Sequence, residues 1–135
     1  LVDSNFYSFM DKSFDVTWEQ IQTILDKEAE LGYGEGDQGA SMCAYGLSKA
    51  CLTAYYMLLA IQYPNLITAT VSPGFINTKM TQGFGASLQP EQGTISLRKC
   101  TLEPLTDCKG WYFGSDGLRS PLDVMRNPGD PEYNP

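Results

Sequence analysis

The sequence predicts an α/β fold built on a parallel sheet, and three observations carry that reading. Ala50 to Ile61 is an apolar run without glycine or proline that reads as one helix. After a stop at Tyr63-Pro64-Asn65 comes Leu66-Ile67-Thr68-Ala69-Thr70-Val71, a short, β-rich apolar run that reads as a buried parallel strand. Ser72-Pro73-Gly74 stands at its carboxyl end, where the backbone turns sharply and can come close to a ligand. In open α/β sheets that edge is where ligands bind.

The helix is entered through Ala44-Tyr45-Gly46-Leu47-Ser48-Lys49. Tyr45 and Lys49 are four residues apart, so both polar heads leave the same helix face. A phenol titrates near 10 when alone. A cation at roughly 4 Å, with an effective dielectric of about 20, favours the phenolate by up to about 4 kcal/mol. Such a pair can act as acid and base near neutral pH. In a chain with eight tyrosines the bare spacing decides nothing; the strand and the Pro-Gly turn that follow give it context.

Tyr45-x-x-x-Lys49 on a helix, then a strand, then Pro73-Gly74-x-Ile76-x-Thr78, resembles the short-chain dehydrogenase/reductase family over about residues 40 to 80. The resemblance implies a Rossmann-like, doubly wound parallel α/β sheet, of which residues 1–135 would be the carboxyl-terminal part of one NAD(P)-binding domain, its amino-terminal strands lying outside this chain. It implies that Tyr45 is the catalytic acid/base. Lys49 would hold the ribose hydroxyls of the cofactor and favour the phenolate of Tyr45. Pro73, Gly74, Ile76 and Thr78 would line the nicotinamide end, Ile76 through its backbone and Thr78 through its hydroxyl. The substrate implied is a small carbonyl compound or alcohol, and the cofactor NADP(H) in preference to NAD(H), by likeness to the carbonyl-reductase type.

Composition narrows the alternatives. A net charge of −7 argues against a nucleic-acid surface. With no histidine, histidine-based nucleophile triads are excluded and the commonest metal ligand is missing. Cys43, Cys51, Cys100 and Cys108 form no Cys-x-x-Cys pair, so no metal site is expected; reduced thiols suit a cytoplasmic protein. No run approaches the roughly 20 apolar residues of a membrane span, and no secretion signal is expected. Leu1 is not an initiator methionine, and the chain is expected to be a piece of a longer one.

Residues 1–13 have no clear period and read as loop. Thr17 and Gln20 then form a capping box, with Val16 and Ile21 as a staple, and a helix is expected from Trp18 to Leu31, closed by Gly32. Gly34-Glu35-Gly36-Asp37-Gln38-Gly39 matches the glycine pattern of dinucleotide-binding loops, but no strand precedes it and its two acids would repel phosphate. It is read as a flexible connection. The family's catalytic serine has no convincing counterpart among Ser4, Ser8, Ser13 and Ser41. Residues from about 5 to 41 instead resemble the helical insertion of monomeric carbonyl reductases, which would cover the apolar helix in place of a second subunit. A monomer is favoured on that ground, a dimer being the alternative.

Lys79 to Ser87 resembles a mobile substrate loop, with Met80 and Phe84 as an apolar lid. A short helix should open at Pro90 and end near Cys100. Gly110 to Gly114 reads as the last strand, turned by Ser115-Asp116-Gly117, and 122–135 as a poorly ordered tail. The readings that compete with a reductase are a non-catalytic scaffold that kept the fold, and a truncated chain inactive on its own.

Overall fold

Thr17 opens the first helix. Its N–H donates to Gln20 Oε1 at 2.8 Å, and its Oγ1 accepts from the Gln20 N–H at 3.2 Å. This is the reciprocal capping box read from the sequence, and it satisfies two backbone donors that the helix itself cannot. The computed structural model describes residues 17–31 and 38–135 apart from 107, 123 and 125, and the chain divides after Leu66 into two compact units. The loop expected over 1–13, the staple residue Val16, the candidate serines Ser4, Ser8 and Ser13, the closing Gly32 and residues 34–37 lie outside the described residues.

In the first unit α1 spans Trp18–Leu31 and α2 spans Gln38–Gln62. On α1 the apolar Ile21 is buried, while Gln22 Nε2 donates to Asp26 Oδ1 at 3.0 Å on the polar side. α1 packs on α2, with the Trp18 ring edge-on to Tyr55 at 6.0 Å between centroids. α1 therefore covers part of α2, as the sequence suggests. The expected flexible connection is corrected at one end: Gln38 and Gly39 are helical. The cost of about 1 kcal/mol for a helical glycine applies to the helix interior, whereas Gly39 is only the second residue of α2.

Leu47, Cys51, Ala54 and Leu58, spaced by three and four, are buried on α2, and Met57 and Ala60 widen the stripe. Leu52, Tyr55 and Ile61 are exposed on its other sides. Against the reading of the bare sequence, Ala44–Gln62 is long and apolar enough to cross a bilayer by length and composition. The core helix of a soluble protein meets the same criterion.

The second unit is organised by a three-stranded sheet of order β1-β2-β3. β1 (Ala69–Val71) and β2 (Trp111–Phe113) are parallel, with Ala69, Thr70 and Val71 opposite Trp111, Tyr112 and Phe113. Hydrogen bonds carry this pairing beyond both strand ends: Gly110 N–H to Thr68 O at 2.7 Å and Ser72 N–H to Phe113 O at 2.9 Å. β1 is shorter than expected and half-buried, because only one of its edges has a partner strand among the described residues. A 3-10 turn over Gln92–Thr94 leads into α3 (Ile95–Leu102), which is packed on β1; the helix expected to open at Pro90 begins only with this turn, and it ends at Leu102, two residues beyond Cys100. The Gln89 N–H at its entry donates to Gln92 Oε1 at 2.8 Å.

Two expectations fail at the carboxyl end. β2 is not the last strand, because β3 (Arg119–Ser120) folds back antiparallel to it. The turn between them is the one expected, with Gly117 at φ 76° and Leu118 N–H donating to Asp116 Oδ1 at 3.1 Å. Nor is the tail loose. The Arg126 guanidinium grips the Asp116 carboxylate with two bonds of 2.9 and 2.6 Å, and also donates to the carbonyls of Pro131 and Asp130 at 2.9 and 2.8 Å. Tyr133 N–H donates to Arg119 O at 3.0 Å, and the Arg119 guanidinium lies 4.0 Å from the Trp111 ring centroid. The prolines that argue against a helix or strand here leave side chains free to fasten the segment.

The Arg126 side chain is only 5% exposed and that of Asp116 20%. The hydrogen bond from Arg126, together with its charge, holds the Asp116 carboxyl below the usual carboxylate range despite partial burial. A depressed carboxylate stabilises the fold fully above its unfolded value near about 4, and that contribution is lost as pH falls through the folded value. In the full-length protein Asp116→Asn should cost about 1.5–3 kcal/mol at neutral pH, measured by chemical denaturation. The gap between wild type and variant should shrink on acidification towards about pH 2; a gap that stays constant would contradict the assignment.

Candidate active site

α2 brings Tyr45 and Lys49 together, one turn apart. Both are exposed, and Lys49 Nζ lies 5.3 Å from the Tyr45 ring centroid, within cation–π range. The turn between them is fastened by Ser48 Oγ, which donates to Tyr45 O at 2.7 Å, and Thr53 Oγ1 donates to Lys49 O at 3.0 Å. Gly46 has open space where a Cβ would stand. A phenol and an ammonium thus share an accessible helix face, a donor pair suited to a polar substrate.

In the second unit Pro73, Gly74, Ile76 and Thr78 form one loop at the carboxyl end of β1. Gly74 has φ 81°, and a Cβ there would meet Leu88 Cδ1 at 2.6 Å and Ser115 Cβ at 2.9 Å, so both conformation and space demand glycine. Its N–H donates to Ser72 Oγ at 3.2 Å. Ile76 lies opposite Leu88 in an isolated parallel bridge: Leu88 N–H donates to Phe75 O at 3.3 Å and Asn77 N–H to Leu88 O at 2.8 Å. That pattern uses the peptide groups flanking Ile76 and leaves its own N–H without a hydrogen-bond partner among the described residues. The Thr78 hydroxyl lies 3.2 Å from Thr81 Oγ1. Of the expected lid residues, Met80 is 79% and Phe84 75% exposed, on successive turns after the loop.

Four residues that sequence reasoning did not assign to the site shape this loop. Ser96, fully buried on α3, donates its hydroxyl to Ser72 O at 3.0 Å. Gly93 is buried directly against the Ile76 side chain and 3.4 Å from Pro73 O, measured from where a Cβ would stand. Leu88 supplies the bridge, and Thr81 binds back to the Ile76 carbonyl. Serine, threonine and leucine at these positions have no spacing that distinguishes them from ordinary surface and core residues.

The remaining candidate chemistry is quiet. Cys51 and Cys108 are buried and Cys100 half-buried, all as free thiols. Burial pushes the Cys51 and Cys100 thiols up, away from the reactive thiolate. Among the described residues no cluster of cysteine and carboxylate side chains is arranged to hold a metal ion.

The chain is 36% identical over 104 residues to short-chain dehydrogenase/reductase 1 of Saponaria officinalis, an overlap of 73% of this chain and 33% of that protein. The chain is a relative of the short-chain dehydrogenases/reductases. Salutaridine reductase of Papaver somniferum is 34% identical over 75 residues, covering 56% of the chain and 24% of that protein. (+)-Neomenthol dehydrogenase of Capsicum annuum is 39% identical over 70 residues, covering 52% and 22%. This short-chain dehydrogenase/reductase relative thus spans a third or less of the length of these curated proteins. No family model and no solved structure matches it. Kinship of this kind implies a Rossmann-like fold, with which the parallel β1–β2 pair is compatible.

Gly74→Ala should strain the backbone and displace Leu88 or Ser115, costing about 1–3 kcal/mol. Thermal unfolding of the full-length protein checks this, with Gly83→Ala as comparison, since Gly83 also has positive φ but open space around it. Equal losses at the two positions would show that the close approach at Gly74 adds nothing.

Proposed function

We propose that the protein is an NAD(P)H-dependent oxidoreductase of the carbonyl-reductase type, reducing a small carbonyl compound to an alcohol or running the reverse reaction. One observation carries the proposal: the loop after β1 is braced on several sides while the Ile76 N–H and the Thr78 hydroxyl remain at hand for a ligand. A carboxamide, with one acceptor and one donor group, suits that pair, and glycine at 74 permits close approach. The nicotinamide of the cofactor ends in such a carboxamide, and when bound it supplies the reducing equivalent. The names of the relatives, reductases and dehydrogenases, support the same reaction class.

In this reading the chain's own residues do the following. Tyr45 gives its proton to the carbonyl oxygen during reduction and takes it back from the alcohol in the reverse direction. Lys49 holds the ribose hydroxyls. Ile76 N–H and the Thr78 hydroxyl hold the carboxamide, and Pro73 and Gly74 shape its bed. Met80 and Phe84, exposed here, close over an apolar substrate. Further strands continue the doubly wound sheet at the edge of β1 that has no partner strand among the described residues. The cofactor is NADP(H) rather than NAD(H), and the protein is a cytoplasmic monomer in which α1 covers α2 in place of a second subunit.

The test is Tyr45→Phe in the full-length protein, with a panel of aldehydes, ketones and quinones. Cofactor binding, followed by fluorescence of the reduced nicotinamide, should be retained while turnover falls about a hundredfold to ten-thousandfold. A wild-type protein that binds no nicotinamide cofactor would refute the reading in favour of a scaffold that kept the fold. Full turnover by the variant would remove Tyr45 from the chemistry.

A further inference from the structure

Among the described residues, Thr81 is the one whose hydroxyl is hydrogen-bonded to both Ile76 and Thr78. Its hydroxyl donates to Ile76 O at 2.5 Å and accepts from the Thr78 N–H at 2.9 Å, and its own N–H donates to Thr78 O at 3.1 Å. The Thr78 hydroxyl also lies within hydrogen-bond distance of it, at 3.2 Å. One side chain, half-buried, thus ties the two residues that carry the proposed carboxamide contacts, across a turn that otherwise contains no regular structure.

We infer that Thr81 is a positioning residue for the nicotinamide half of the cofactor site, an inference that rests on the reading given under Proposed function. The physical reason lies in the geometry of the peptide chain. The bridge to Leu88 fixes the carbonyl of Phe75 and the N–H of Asn77, which leaves the Ile76 unit held from one side. The Ile76 N–H belongs to the preceding peptide, held through the Phe75 carbonyl; fixing the Ile76 carbonyl through Thr81 holds the following peptide from its second side and so limits rotation about the two Ile76 bonds that join these peptides. Binding the Thr78 N–H to the same hydroxyl sets the Thr78 backbone, and so the origin of its side chain. Two ligand groups are thereby held in one relative geometry before anything binds. Preorganisation of this kind lowers the entropy lost on binding. Threonine suits the task because a single hydroxyl both donates and accepts, and its branched Cβ restricts rotation. Thr81 touches neither cofactor nor substrate in this account and acts through Ile76 and Thr78 alone.

The test compares Thr81→Val, which keeps the shape and removes the hydroxyl, with Thr81→Ser, which keeps the hydroxyl, in the full-length protein. The probes are reduced nicotinamide dinucleotide and, separately, the adenosine diphosphate half of the cofactor. Thr81→Val should weaken the dinucleotide roughly tenfold, as two hydrogen bonds of ordinary strength allow, and leave adenosine diphosphate unchanged; Thr81→Ser should restore wild-type affinity. A Thr81→Val protein with unchanged dinucleotide affinity overturns the inference. So does equal weakening of both probes, which would mean a general structural role. A wild-type protein that binds neither probe overturns the oxidoreductase reading itself and the inference with it.

Discussion

The second unit depends on the parallel pairing of β1 with β2. The two strands are three residues each, too short to be stable alone, and hydrogen bonds at Thr68 and Ser72 extend the ladder past both ends. The extension at Ser72 matters most. Once the Ser72 N–H is committed to Phe113 O and its carbonyl to the buried Ser96 hydroxyl, the chain has a fixed exit from the sheet. Gly74, in a backbone region that residues with side chains rarely adopt, then turns it against Leu88 and Ser115. Phe113, opposite Val71 and 2% exposed, anchors the same end from the neighbouring strand. The loop that carries the proposed ligand contacts is thus a consequence of strand pairing.

The first unit solves a different problem. A long helix rich in apolar residues must bury one stripe, and α1, stabilised at its start by the Thr17–Gln20 box, supplies a partner through Ile21 and Trp18. Tyr45 and Lys49 stand near the less apolar beginning of α2, exposed and one turn apart. Burial and chemistry are therefore divided along a single helix: packing residues cluster from Leu47 to Ala60, and the acid/base candidate lies outside that stripe.

Much of this was legible in the residues because it is local. Capping by Thr17 and Gln20, the helix through Lys49, the parallel strand before Pro73 and the turn at Asp116-Gly117 all follow from neighbours in sequence. What escaped is long-range or depends on single side chains. Nothing in Arg126 or Asp116 announces that they meet, yet their bond fastens a tail whose composition reads as loose. β3 is two residues long, below the length at which alternation carries information. The start of α2 at Gln38 overrides a glycine that reads as a break. In the site itself, Pro73, Gly74, Ile76 and Thr78 were visible through a family pattern, whereas Ser96, Leu88 and Thr81 act through contacts that only the folded chain creates.

The central claim is that the loop after β1 receives the nicotinamide end of a cofactor through the Ile76 N–H. Amide hydrogen exchange on the full-length protein, read at Ile76 with and without saturating reduced nicotinamide dinucleotide, tests it most directly. The account predicts marked slowing at Ile76 on binding, with little change at Asn77, whose N–H is already bonded to Leu88 O. Saturable binding that leaves exchange at Ile76 unaltered would contradict it.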